Sequence, residues 1–263
     1  MTRIAHEINA VVTVAARDIT YAVKTPQMLA MNLLMPIIMM GMLGGSLSQN
    51  MAGGLGFDYG QYMMIGMMVN LLFMGTTMGV TSLIQDRTQD FTQEMMISPV
   101  SRYSIVIGKI LGASFQALLQ LVGTIIVALI MRINFSFSQI LSFLALSPFI
   151  CLSAGAVGMA IVGFVKSDKV ANILVSIVVM PQMFLSGAII PINHSKGVLY
   201  VLSRMMPMTY SLDLARSVFY AGTKEYSKVV LFNPFVNAAV LTGLTLMFLV
   251  IGTVAFAKSE VNR

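Results

Sequence analysis

Tryptophan is absent from the 263 residues, cysteine occurs once, at Cys151, and histidine twice, at His6 and His194. A single cysteine excludes an intramolecular disulfide, and packing inside an apolar stretch accounts for it. Two histidines far apart in sequence give no metal-ligand cluster. Charge is also scarce. Only 10% of the residues are charged, against 57% hydrophobic. The formal net charge of +6 is spread without a basic run or a basic helix face, so nothing points to nucleic acid. No G-x-x-x-x-G-K stretch occurs: the Gly108-Lys109 pair lacks the earlier glycine and the following Ser or Thr. The chain carries no ATP-hydrolysing motif and is not read as an enzyme. No compact apolar segment precedes a small-residue cleavage site, so no cleavable signal peptide is expected.

What is present is apolar length. The mean hydropathy is +0.85, and several stretches reach the ~20 residues that cross a hydrocarbon core. The pattern predicts an all-α polytopic membrane protein with six transmembrane helices near 28–48, 60–84, 110–131, 140–165, 170–190 and 236–257. Lys and Arg sort with topology. Ten lie in the segments 1–27, 85–109, 166–169 and the tail, none in 49–59, and one, Arg132, in 132–139. Both termini are therefore expected in the cytoplasm, in the cell (inner) membrane. The segment 191–235 carries five and breaks the pattern, although long segments count little toward this bias.

None of the six apolar stretches contains Asp, Glu, Lys, Arg or His. A carrier driven by protons or sodium places ionisable groups within its spans. An ion-driven carrier is thereby disfavoured, and energy for uphill transport must come from another chain. Polar uncharged residues do enter the spans. Gln116, Gln120 and Thr124 follow at i, i+4, i+8 and are the candidates for lining a pathway, while Asn70, Asn172 and Gln182 sit in other spans. Each taken singly also fits hydrogen bonding between helices. Gly41 with Gly45, Gly75 with Gly79 and Gly108 with Gly112 match the small-residue packing pattern, which chance also produces among 21 glycines. The 24 methionines suit either plain packing or varied apolar ligands.

Residues 3–24 are no span. Ile4, Ile8, Val11, Ala15, Ile19 and Ala22 recur at helical spacing with Arg3, Glu7, Arg17, Asp18 and Lys24 elsewhere, the pattern of an amphipathic helix on a membrane surface. Between two spans lies a charged wedge, 86–109. Thr88 is placed to cap a short helix with Asp90 in its first turn, Phe91 and Met95 share a face at i, i+4, Glu94 lies beside them, and Pro99 ends it. Ser101 is placed to cap the next helix, which opens with Arg102 and Tyr103. A solvated anchor reads the same way. In 191–222, Pro191 and Pro207 break the helix, two half-helices follow, and Gly222 supplies a stop. Their apolar residues favour a segment that dips into the bilayer over an ordinary loop.

The acidic residues ahead of SPVSR in the wedge, with the Gly-Lys pair after it, resemble the first cytoplasmic loop of the type-two ATP-binding-cassette exporter permeases, the daunorubicin-resistance branch included. Ser186, Gly187, Pro191, Pro207, Thr209, Tyr210, Asp213 and Arg216 repeat that family's outer pattern in order, and the resemblance covers essentially the whole chain. It implies one permease domain, 1–263, with a connecting helix at 3–24, a coupling loop at 85–109 and re-entrant half-helices at 191–222. It implies Asp90, Phe91, Glu94, Met95, Pro99 and Arg102 as contacts with an ABC ATPase subunit, which would hold ATP and magnesium. It implies Pro191, Pro207, Tyr210, Asp213 and Arg216 as the outer gate, Asp213 and Arg216 forming a local pair near Tyr210. The partners it implies are that ATPase, a second permease chain in a homo- or heterodimer, and the lipid bilayer. The implied cargo is a hydrophobic or amphipathic small molecule such as an antibiotic, with a lipid-linked polysaccharide or a peptide as the alternative.

Overall fold

The computed structural model describes residues 3–25, 27, 34, 37–38, 56–88, 101–165, 167–193 and 195–261. Among these the structure is all-helical. Five helical segments are long and apolar enough to cross a membrane: Tyr59–Asp86, Tyr103–Ile130, Phe137–Phe164, Asp168–Leu185 and Tyr226–Phe256. They coincide with the second to sixth stretches expected from hydropathy. The first, 28–48, lies almost wholly outside the described residues.

Helix α1 runs Arg3–Lys24, and α2, Tyr59–Thr81, continues past Ser82 as α3, Leu83–Thr88. Thr88 is the last described residue of this stretch, and the short helix it is expected to cap, in 89–100, lies outside the described residues. The Asp58 carboxylate accepts the Gln61 amide at the start of α2. Helix α4, Arg102–Ile130, begins where expected, with the Ser101 hydroxyl accepting the Tyr103 amide at 3.2 Å. Ser136 and Gln139 form a reciprocal capping box for α5, Phe137–Phe164. Helix α6, Asp168–Leu185, ends five residues before the expected boundary at 190. The reason is Gly187, whose φ of +85° turns the chain out of the helix in a region that favours glycine. Then come α7, Val198–Met205, α8, Pro207–Phe219, with Pro207 at a helical start that needs no amide donor, the short α9, Tyr226–Val229, and α10, Pro234–Val261.

Helix α5 packs on α2 and α10, and α4 packs on α1 and α2. Small residues let these backbones approach. Gly79 faces Ala113, and Gly112 faces the Asp18 side chain, so the pairs Gly75/Gly79 and Gly108/Gly112 lie at helix contacts. The pair Gly41/Gly45 lies outside the described residues. Helix α1 sets Val11 and Val14 against Gly108, whereas Ile8, Val12 and Val23 stay exposed beside them.

Candidate functional site

Charge collects where α1, α3 and α4 meet. Lys109, one turn before Ala113 in α4, is 2% exposed. Its ammonium reaches Asp86 Oδ2 at 2.8 Å and Asp18 Oδ2 at 3.0 Å. Arg17 closes the group, with one terminal nitrogen 2.7 Å from Asp86 Oδ2 and 3.0 Å from Asp18 Oδ1. A buried ammonium demands such partners, since its desolvation is offset only by good geometry. At the other end of α1 the Glu7 carboxylate accepts the Ser101 amide and the Ser104 hydroxyl. Asp86 and Lys109 are the two ends of the charged wedge, so the wedge is tied shut at its neck and α1 is fastened to it.

From this ionic end a cavity of about 990 Å³ extends between α2, α4 and α6. Arg17, Asp18, Gln85, Asp86, Lys109 and Asp168 border one end. Asn70, Gln116, Gln120 and Asn172 line it further on, among Met67, Met74, Met78, Leu34 and Ile38, and Gly66, Ala188 and Ile189 border it as well. Gln85 donates to Asp168 at 3.0 Å. Thr124 does not line this cavity; its hydroxyl bonds the Gln120 carbonyl at 3.0 Å.

At the Tyr59 end, the loop after α6 is clamped by its own carbonyls. Gly187 C=O accepts the Tyr62 hydroxyl at 2.9 Å and an Arg216 nitrogen at 2.6 Å, and Ile189 C=O accepts the Tyr59 hydroxyl at 2.8 Å. The loop backbone sits in the notch left by Gly66, where a methyl group would collide with the Ala188 carbonyl. Arg216, 1% exposed, lays its guanidinium 3.6 Å from the Tyr62 ring centroid. Burial draws its pKa below the ordinary arginine value.

Asp213 and Arg216 therefore do not form the local pair expected from their spacing. Asp213 faces the other way and accepts the Leu231 and Phe232 amides at 2.7 and 2.8 Å and the Asn237 side chain at 2.7 Å. Burial raises its pKa, and these donors oppose the rise. It fastens α8 to the start of α10, while the Arg216 guanidinium is engaged on the Gly187 carbonyl and the Tyr62 ring. Tyr210, stacked on Phe232, donates to the Arg204 carbonyl at 2.7 Å. Pro191 stands in the loop before α7 and Pro207 opens α8. Asp90, Phe91, Glu94, Met95 and Pro99 lie outside the described residues, and Arg102 is described only as the first residue of α4.

Sequence reasoning missed the ionic cluster and the loop clamp. In the sequence Arg17 stands on the polar face of the surface helix and Lys109 in the Gly-Lys pair of the wedge; the signal of more is that Arg17-Asp18 and the wedge ends offer balanced opposite charges. Tyr59, Tyr62 and Gly66 carried no signal, since their partners are backbone carbonyls more than 120 residues away.

Comparison with known proteins gives this architecture a context. The family described as "ABC-2 type transporter" matches residues 9–220. The chain is 23% identical to Nodulation protein J of Rhizobium meliloti (strain 1021) over 192 residues, 71% of this chain and 72% of that protein. It is 22% identical to Nodulation protein J of Rhizobium leguminosarum bv. viciae over 225 residues, 84% and 81% of the two chains. With the protein of that name from Rhizobium leguminosarum bv. trifolii it shares 27% identity over 129 residues, 48% of each.

Proposed function

The chain belongs to the ABC-2 type transporter family and is a membrane permease, and on that footing we propose that it is the membrane subunit of an ATP-binding-cassette exporter driven by ATP hydrolysed on a separate ATPase chain. The cavity carries this reading: about 990 Å³, ionic at one end, amide-lined further in and walled by methionine. Such a gradient suits an amphipathic small molecule, a drug or an antibiotic, better than a bare ion. The spans hold no charge along 60–84, 110–131, 140–165 and 170–190 with which to couple an ion gradient.

In this reading 28–48 supplies a sixth span, both termini and the ionic cluster face the cytoplasm, and α7 and α8 are half-helices that dip into the outer leaflet. Helix α1 lies in the inner interface, since Ile8, Val12 and Val23 stay exposed beside the face that meets α4. The wedge 85–109 is the part pushed by the ATPase, through Asp90, Phe91, Glu94, Met95, Pro99 and Arg102. Two permease chains act together because two ATPase subunits close around ATP. A lipid-linked polysaccharide or a peptide is the alternative cargo.

The test is to express the chain with an ATPase bearing a phosphate-binding loop, co-purify the two, and follow ATP-dependent uptake of amphiphiles into inside-out vesicles. Uptake that needs both chains is expected. Uptake that survives removal of the ATPase would replace this reading with an ion-driven carrier.

A further inference from the structure

Four amide side chains, Asn70 from α2, Gln116 and Gln120 from α4 and Asn172 from α6, border one cavity. Amides in membrane spans ordinarily hydrogen-bond across helices, because hydrocarbon offers no other partner. Gln182 does so: its oxygen accepts the Met208 amide at 3.4 Å while its nitrogen donates to the Val178 carbonyl at 3.0 Å. The cavity amides behave differently. Among the described residues the side chains of Gln116, Gln120 and Asn172 make no hydrogen bond, and Asn70 reaches only the Met208 sulfur at 4.0 Å. Gln120 is decisive, being 4% exposed, set against Gly75, and turned into the cavity with its amide unpartnered.

A carboxamide donates and accepts at once, which matches a hydroxyl or another amide and gives no preference for a charge. The charged side chains of the cavity come from the segment ends, Asp86, Lys109 and Asp168, and from α1. We infer that these four amides are a recognition site for the uncharged, hydroxyl- or amide-bearing body of an amphiphile, its apolar tail lying along Met74 and Leu34. The inference rests on reading the cavity as the transport path, and it names the class of cargo: a neutral hydrogen-bonding amphiphile, not a lipophilic cation.

The test uses the full-length permease in lipid nanodiscs, titrated by fluorescence with an NBD-labelled alkyl glucoside, an NBD-labelled N-acyl dipeptide amide and an NBD-labelled alkyltrimethylammonium of equal chain length. Saturable binding of the glucoside or the dipeptide amide, and not of the cation, is expected; which of the two binds tells a hydroxyl-rich from an amide-rich cargo. Gln116→Leu and Gln120→Leu should each weaken it about fivefold to tenfold, the effect of losing one hydrogen bond. Gln182→Leu, outside the cavity, should leave it unchanged. If Gln120→Leu fails to insert, Gln116→Leu and Gln116→Asn carry the comparison. Neutral-probe binding that ignores both glutamines, preference for the cation, or no neutral-probe binding would overturn the inference; that last result would mean that the amides hold water only. Glutamine-dependent binding without ATP-driven movement would instead remove the exporter reading and leave the amide site standing.

Discussion

Lys109 and Gly66 make opposite demands on their neighbours. Lys109 is a buried cation between two carboxylates, so Lys109→Met should leave Asp18 and Asp86 facing each other without the ammonium that now bridges them. Loss of one member of a buried ion pair costs on the order of 3 kcal/mol. A lowered apparent Tm in detergent should report it, and Asp86→Asn combined with Lys109→Met should recover part of the loss. An unchanged Tm for Lys109→Met would show that the cluster holds nothing. Gly66 needs absence of bulk. Gly66→Ala should unseat the loop carrying Gly187 and Ile189, whereas Tyr62→Phe removes one donor and keeps the Arg216 stack, at about 1 kcal/mol. Thiol labelling of a cysteine at Ala188, in a Cys151→Ser background, should speed up with Gly66→Ala and barely with Tyr62→Phe. Equal rates in both would remove the clamp from the account.

At the scale of elements, the wedge between α3 and α4 is where the energy of a partner would enter. Truncating a central apolar anchor of an interface commonly costs about 2 kcal/mol or more, and a rim charge much less. Phe91→Ala or Met95→Ala should therefore release or uncouple the ATPase, and Glu94→Gln should weaken it mildly, with insertion intact in all three. Normal co-purification and normal transport in both alanine variants would make the wedge a solvated anchor. Topology is checked by cysteines in the Cys151→Ser background: those at Asp58 and Lys196 should react with an impermeant thiol reagent in intact cells, and one at Gln93 should not. Labelling at Gln93 would refute the assigned orientation. Which elements were legible follows from what fixes them. Apolar length and Ser101 announced α4, because span and cap are local properties. The end of α6 was not, because one positive-φ glycine decides it. The partners of Asp213 were hidden for another reason: spacing within α8 suggested Arg216, whereas the carboxylate bonds to backbone amides ahead of α10.

On the scale of the whole molecule, the arrangement joins three parts along α2. The ionic neck binds the wedge to α1, the cavity follows, and the clamped loop sits at the Tyr59 end. In the proposed reading a push on the wedge would reach α2 and α4, which wall the cavity, and the loop resting on Gly66 lies on α2. In that reading ATP on another chain drives this assembly. The most direct test is uptake of an NBD-labelled alkyl glucoside into inside-out vesicles that contain the permease and its ATPase. Uptake that requires ATP and vanishes when the phosphate-binding lysine of the ATPase is replaced is expected. Uptake that persists with that lysine replaced and instead follows an imposed proton gradient would contradict the proposed reading.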